Sequence, residues 1–197
     1  MAANRSGRRM SAVKQSIVTA VCLALCVVLP MAFHAIPRGG EIYDPMFFPI
    51  MVCGLSCDWG FGLLCGIAGP ILSTLFTGMP PVADLPTMVV QGAFCGLLCG
   101  LMMLWVHTRS AYADLYIAIV VAIVVGSVAA GAVKALIFAA GKYSIRMWAM
   151  GYFVKCLPGL IIQLVLVPSI IVALMKAHLV PERYPSRVKA ASVEADE

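Results

Sequence analysis

The chain reads as long apolar runs separated by short breaks, each break marked by charges or by a cluster of Pro and Gly. Six runs result: Ser16 to Phe33, Pro45 to Cys57, Gly60 to Phe76, Leu85 to Val106, Leu115 to Ala140 and Trp148 to Leu174. Such runs cannot stay exposed to water. Inside a bilayer every backbone N–H and C=O must be satisfied within the segment, which predicts helices. A full crossing takes about 20 residues, with a range of roughly 17–25, so the second run is short. Asp58-Trp59-Gly60 follows it directly, and a short helix, a tight turn and a return are expected there; a re-entrant hairpin is the alternative. The predicted fold is an all-α integral membrane protein with six transmembrane helices. Its membrane domain covers residues 16–178, between a basic tail over 1–15 and a polar, Pro-broken tail over 179–197.

Composition sharpens this picture: 62% of the 197 residues are hydrophobic and 12% are charged. Nothing outside the runs is long enough to fold as a soluble ATPase, kinase or binding domain. Whatever the protein does takes place within the bilayer or at its two faces. The 14 Lys and Arg residues are distributed unevenly. Arg5, Arg8, Arg9, Lys14, Arg109, Lys176, Arg183, Arg187 and Lys189 fall on one side, against Arg38, Lys142 and Arg146 on the other. By the positive-inside rule both termini are cytoplasmic. The pI of about 8.8 then reflects membrane topology, since the cations form no single soluble patch that would suit a nucleic acid. Bulky Phe33, two residues before Ala35, argues against removal of the first run as a signal peptide.

Three loops on the external face carry most of the remaining chemistry. Loop one runs from His34 to Pro45 and includes Arg38, Glu41, Tyr43 and Asp44. Loop three runs from Thr77 to Pro86 through Met79 and Asp84, and loop five from Gly141 to Trp148 through Lys142, Tyr143 and Arg146. Each mixes helix-stopping Pro or Gly with aromatic or Met side chains and charge. Such a mixture suits a ligand site, although Gly and Pro also simply end helices, and Tyr and Trp favour the headgroup region. The external cations would suit a carboxylate or phosphate; pairing with Glu41, Asp44 or Asp84 explains them equally well. Lys134 stands inside the fifth run, where a charge needs a partner or a cavity. Gln91 and Gln163 are milder cases, often interhelical hydrogen-bonders.

The eight cysteines show no metal-binding spacing. Cys22/Cys26, Cys53/Cys57 and Cys95/Cys99 are i,i+4 pairs in apolar runs, with Cys65 and Cys156 single. Without a C-x-x-C or a neighbouring His they read as small hydrophobes, and no metal or cofactor is expected. His34 alone of the three histidines falls at the external face, where an interfacial role outweighs ligation of a metal in a bound molecule. Small residues recur every fourth position at Ala12, Ser16, Ala20 and Ala24 and again at Gly92, Gly96 and Gly100, so that helix backbones can approach closely. Such contacts are ordinarily internal; the ridge on the first helix could instead receive a separate subunit. No H-E-x-x-H, G-x-S-x-G, P-loop or intramembrane carboxylate pair is present, which argues against an enzyme and against a proton-coupled carrier.

An ordered set of strings then carries a resemblance. Pro45-Met46-Phe47-Phe48-Pro49-Ile50, Cys53-Gly54-Leu55, Trp59-Gly60-Phe61-Gly62-Leu63, Gly69-Pro70, Thr77-Gly78-Met79-Pro80-Pro81 and Leu157-Pro158-Gly159-Leu160-Ile161-Ile162-Gln163-Leu164 together resemble the substrate-binding S component of energy-coupling factor (ECF) vitamin transporters. The closest resemblance is to pantothenate- or cobalamin-type members. It implies six helices, an external site roofed by loops one, three and five, and a prokaryotic plasma-membrane location. It also implies partners: a transmembrane T subunit, packed on an A-x-x-x-A motif that maps onto Ala20 and Ala24, and two ATPase subunits. The loaded subunit would topple in the membrane and release a vitamin inward. Phe47 stands where relatives often have His, and Ser127 follows Gly126 where relatives commonly have Arg, so two polar contacts are missing; Arg146 and Lys134 are the candidate replacements. By loop position the expected ligand-facing residues are Arg38, Tyr43, Asp44, Met46, Met79, Gln91, Tyr143, Arg146 and Trp148. A structural or assembly protein without a ligand, and a stand-alone facilitator, are the competing readings; the halves lack the matching broken helices that the facilitator would want.

Overall fold

The computed structural model describes residues 10–33, 42–106, 108, 110–137, 145–177 and 179–180, and among them helix is the regular structure throughout. The helices are α1 (Ala12–Phe33), α2 (Phe47–Ser56), α3 (Trp59–Thr77), α4 (Leu85–Trp105), α5 (Ala111–Ile137), α6 (Ile145–Ala149) and α7 (Leu157–Lys176). One π-helical turn, Met150–Val154, links the last two. Five helices, α1, α3, α4, α5 and α7, are long and apolar enough to cross a membrane. The sixth apolar run does not form a single helix from Trp148, because α6, the π turn and Cys156 interrupt it before α7 begins.

The second run forms only the ten residues of α2, about 15 Å of helix. It is bounded by local backbone geometry. Asp44 has φ 46° and is followed by Pro45, while Cys57 and Asp58 at the other end are extended. Nine of its ten residues are buried, as expected for a helix that is apolar all round. α1, α3, α4 and α7 surround it. Its connections reach further than the helix itself. The Tyr43 ring lies 5.5 Å from that of Phe33 at the end of α1. At the opposite end the Asp58 backbone N–H donates to Gln15 Oε1 at 3.0 Å, and Gln15 Nε2 donates to Asp58 Oδ2 at 3.2 Å. Residues 43–58 therefore run beside α1 from Phe33 to Gln15, 18 positions on that helix, or about 27 Å.

The long helices bury one narrow stripe each and leave Val13, Leu75, Val120 and Val165 outward, the arrangement of a bundle facing lipid. The tightest contact joins α3 and α4, which run antiparallel. A Cβ placed on Gly92 would lie 2.5 Å from the Gly66 carbonyl oxygen, and Gly62, Gly66 and Gly96 are closer still to the opposite backbone. The ridge at Gly92, Gly96 and Gly100 is therefore an internal contact. α2 is laid on the same pair, since a Cβ on Gly54 would stand 2.6 Å from the Gly96 oxygen. Polar groups at the bundle ends close locally. The buried Asp114 carboxylate accepts from the backbone N–H of Thr108 at 2.9 Å and from its hydroxyl, ahead of the bulk of α5. Gly78, with φ 72°, ends α3 by donating its N–H to Thr74 O at 2.9 Å.

These contacts set a mutational expectation. Gly96→Leu forces two backbones apart and should lower the thermal stability of the lipid-reconstituted protein by at least the 1–3 kcal/mol typical of overpacking. Gly60→Ala, at a site with nothing within 4 Å, should leave the melting temperature unchanged or raise it. Equal melting of the two variants would contradict the packing described.

Candidate functional site

A cavity opens inside the bundle toward the end where α1, α3 and α5 finish and α4 and α7 begin. Its floor and walls come from every layer of the fold. α2 supplies Phe47 and Met51, α4 supplies Gln91 and Cys95, and α5 supplies Ile123 and Ser127. The remaining wall is Tyr152 of the π turn, Cys156, and Leu160 and Gln163 of α7, with Asp44 at the loop before α2. The space is about 310 Å³ when counted out to its mouth. It is narrow, and in this conformation holds little more than a water molecule.

Local geometry explains how each polar group arrives there. Asp44 occupies the left-handed region, which Asp tolerates better than most residues because its short side chain can hydrogen-bond locally. The chain on its N-terminal side is pressed onto α7 at Gly159, where a Cβ would lie 2.7 Å from Ile42 O and 2.6 Å from Tyr43 O. Gln163 is one turn further along the same face of α7. Gln91 and Cys95 each precede a glycine of the α3–α4 contact, so that contact turns them toward α5. There the Cys95 thiol donates to Ala122 O at 3.4 Å. The π turn places Tyr152 out of the register a continuous α-helix would give, and such turns are frequent at functional sites.

The electrostatics single out the same residues. Gln163 is 3% exposed, yet neither its amide, nor that of Gln91, nor the Asp44 carboxyl has a hydrogen-bond or ion-pair partner among the described residues. Burial pushes the Asp44 carboxyl up to about 7. Polar groups taken from water without a partner are costly; Gln163 is buried, Asp44 and Gln91 are half-buried, and the three face one space. Among the described residues Asp44 is the one charged side chain of the lining.

The expected site residues separate into groups. Asp44 and Gln91 line the cavity. Trp148 stands behind it: its Nε1–H donates to the Ser127 carbonyl at 2.9 Å, and its ring meets Phe153 edge-on at 5.3 Å. Tyr43 packs on Phe33. Met46 is buried in the core, where its carbonyl accepts from the Cys26 thiol at 3.7 Å. Met79 and Arg146 are exposed and do not contribute to the lining. Arg38 and Tyr143 lie outside the described residues, as do His34 and Lys142. Lys134, a candidate replacement for a missing polar contact, instead pairs with Asp84 at 3.3 Å. Residues that the loop-based reading left out include Gln163, Tyr152 and Met51. Phe47 and Ser127, where polar contacts were counted as missing, both line the space. The cysteines are free thiols, and among the described residues no group of His, Cys, Asp and Glu is arranged to hold a metal.

The family model of the ECF transporter substrate-specific component matches residues 14–172, a range that takes in most of α1 and α7, the other three long helices and the whole cavity lining. The chain belongs to this family, and it is accordingly a substrate-specific transporter subunit and a multi-pass membrane protein; the family is not one of enzymes. Comparison with curated proteins and with solved structures finds no match.

Two expectations follow for the ligand-free protein. Gln163→Met, near-isosteric and apolar, should melt no lower than wild type because it removes an unpartnered buried amide. Val167→Ala, one turn away in the packed core, should melt lower, in keeping with a lost pair of methyl groups. Asp44 gives a pH dependence. Its carboxyl is raised above its ordinary range in the fold, so between about pH 4 and 7 the unfolded chain releases a proton that the folded one keeps. Stability therefore falls as pH rises through that window. Thermal melts at pH 5 and 8 should show the decrease in wild type and a smaller one in Asp44→Asn.

Proposed function

We propose that this protein captures a vitamin or related cofactor precursor at the external face of a prokaryotic plasma membrane for ATP-driven uptake by partner subunits. The observation that carries this is the cavity: unpartnered Asp44, Gln91 and Gln163 converge on one enclosed space in a chain of a substrate-specific family. A ligand-free structural protein would have no use for that arrangement, because each unsatisfied group lowers its stability.

Six crossings with both termini inside complete the reading. Five are the long helices. The second is α2 with its flanking residues, supported by the run of residues 43–58 along α1 from Phe33 to Gln15. The nine-to-three distribution of assigned cations supports the orientation, which puts the cavity mouth outside. The partners are a transmembrane T subunit and two ATPases, consistent with a chain that has no nucleotide-binding segment of its own. α1 suits the T-subunit contact. Its buried stripe is Gln15, Thr19, Cys22, Cys26 and Pro30, while Ala20 and Ala24 face outward.

Two measurements test this. Native mass spectrometry of gently purified protein should find a bound small molecule, released on denaturation; protein that is empty and binds nothing in a vitamin panel would refute the reading. Ala20→Leu with Ala24→Leu should abolish co-purification with the T subunit and ATPases while leaving ligand affinity within about twofold, since the ridge and the cavity share no residue.

A further inference from the structure

Resting on the binding reading above, we infer that the substrate presents a positively charged nitrogen to Asp44. The argument starts from the charges of the lining. Asp44 is its one charged side chain among the described residues, and it has no ion-pair or hydrogen-bond partner there. Its backbone is held at φ 46°, between Pro45 and the segment packed on Gly159, so the carboxyl is placed over the cavity by the fold itself. An enclosed carboxylate needs a counter-charge or several donors. Around it the aromatic faces of Phe47 and Tyr152 can stabilise a cation. Gln91 and Gln163 offer both donors and acceptors and fix orientation without adding charge.

An anionic substrate fits this lining poorly. It would stand beside Asp44 with no described cation to offset the repulsion: Lys134 is held by Asp84, and Arg146 is exposed and outside the lining. From sequence, Arg38, Lys142 and Arg146 suit a carboxylate or phosphate, or pair with Glu41, Asp44 or Asp84; of the three cations Arg146 is described and stands outside the lining, while Arg38 and Lys142 lie outside the described residues.

A cation also makes binding pH-dependent. Among the described residues the titratable groups that share the lining with Asp44 are Cys95 of α4, Tyr152 of the π turn and Cys156; α2, α5 and α7 present Phe47, Met51, Ile123, Ser127, Leu160 and Gln163, which do not titrate. Of the lining groups, Asp44 is the carboxyl, and burial raises it above its ordinary range. With its carboxyl raised by burial, pairing with a cation near neutrality favours the ionised form and releases protons, so affinity rises with pH.

The test uses the full chain in lipid nanodiscs, titrated calorimetrically with the cations thiamine, pyridoxamine and choline and with the anions pantothenate and biotin. At least one cation should bind, at least about tenfold more weakly to Asp44→Asn, with a proton release at pH 7 that vanishes in the variant. Asn tolerates the left-handed backbone, and a melting temperature at pH 5 close to that of wild type shows that the variant folds. An anion that binds in preference, or a cation whose affinity is the same in Asp44→Asn, overturns the inference and leaves the binding reading standing. Failure of every probe, with no co-purified molecule, overturns both.

Discussion

The contact between α3 and α4 is the constraint from which the rest of the architecture follows. Apolar surface gives no net drive for helix association in lipid, so association depends on close packing and hydrogen bonding. Gly62 and Gly66 face Gly96 and Gly92 with no room for a Cβ on either side, close enough for weak Cα–H···O contacts along the interface. This fixes the rotation of α4. With the glycines against α3, the residues just before them, Gln91 and Cys95, turn toward α5 and the cavity. It also creates the shallow seat for α2, whose Gly54 rests on the Gly96 carbonyl. A helix of ten residues is thus held at the centre of a membrane bundle by packing on all sides.

The treatment of polar groups then distinguishes structure from function. Away from the cavity the charged and amide groups named so far are satisfied close to home: Gln15 with Asp58, Asp114 with Thr108, Lys134 with Asp84, and the Trp148 indole with Ser127; the buried Ser56 and Thr87 hydroxyls are without a partner among the described residues. The Lys134–Asp84 pair is 41% and 50% exposed, so it contributes no more than about 1 kcal/mol. It ties the start of α4 to the last turn of α5 and leaves no free cation there for a ligand. Asp44, Gln91 and Gln163 are treated differently, and they meet in one place. What sets these three apart is convergence: two amides and a carboxyl without partners among the described residues line the same cavity, where one ligand could meet all of them.

Much of this was legible in the sequence, and the parts that were not share a cause. Apolar runs and their charged or Pro/Gly breaks located the long helices, because burial in lipid leaves little freedom of interpretation. The shortness of the second run was visible from Pro45 and Asp58. Its reach along α1 was not, since extended residues at both ends add length that no helical pattern records. The small-residue ridge on α4 was visible, but not its partner, because α3 carries the matching Gly62 and Gly66 within an otherwise unremarkable apolar stretch. The site was least legible. Choosing residues by loop position selects Met46, which the core absorbs, and Met79 and Arg146, which stay outside. Gln163 and Ser127 lie in spans, and which way a polar residue in a span faces depends on helix rotation that neighbouring helices set.

The cavity holds little more than a water molecule as it stands, so a larger ligand would fit only if a wall gave way, and the packing differs between the two walls. The α3–α4 side is closed by backbone against backbone and offers no slack, and α2 is locked onto it through Gly54. The opposite wall, from Trp148 to Leu160, is built differently. It contains a π turn in place of regular α-helix, and it is fastened by the Trp148–Ser127 hydrogen bond and by the seat of residues 42–43 on Gly159. Segments with fewer buried contacts open at lower free energy than the core they lean on. Tyr152, Cys156 and Leu160 stand on this differently built side. Asp44 and Gln163 lie at the edge of that wall and Gln91 on the opposite one, so a ligand that engages all three would tie the two walls together.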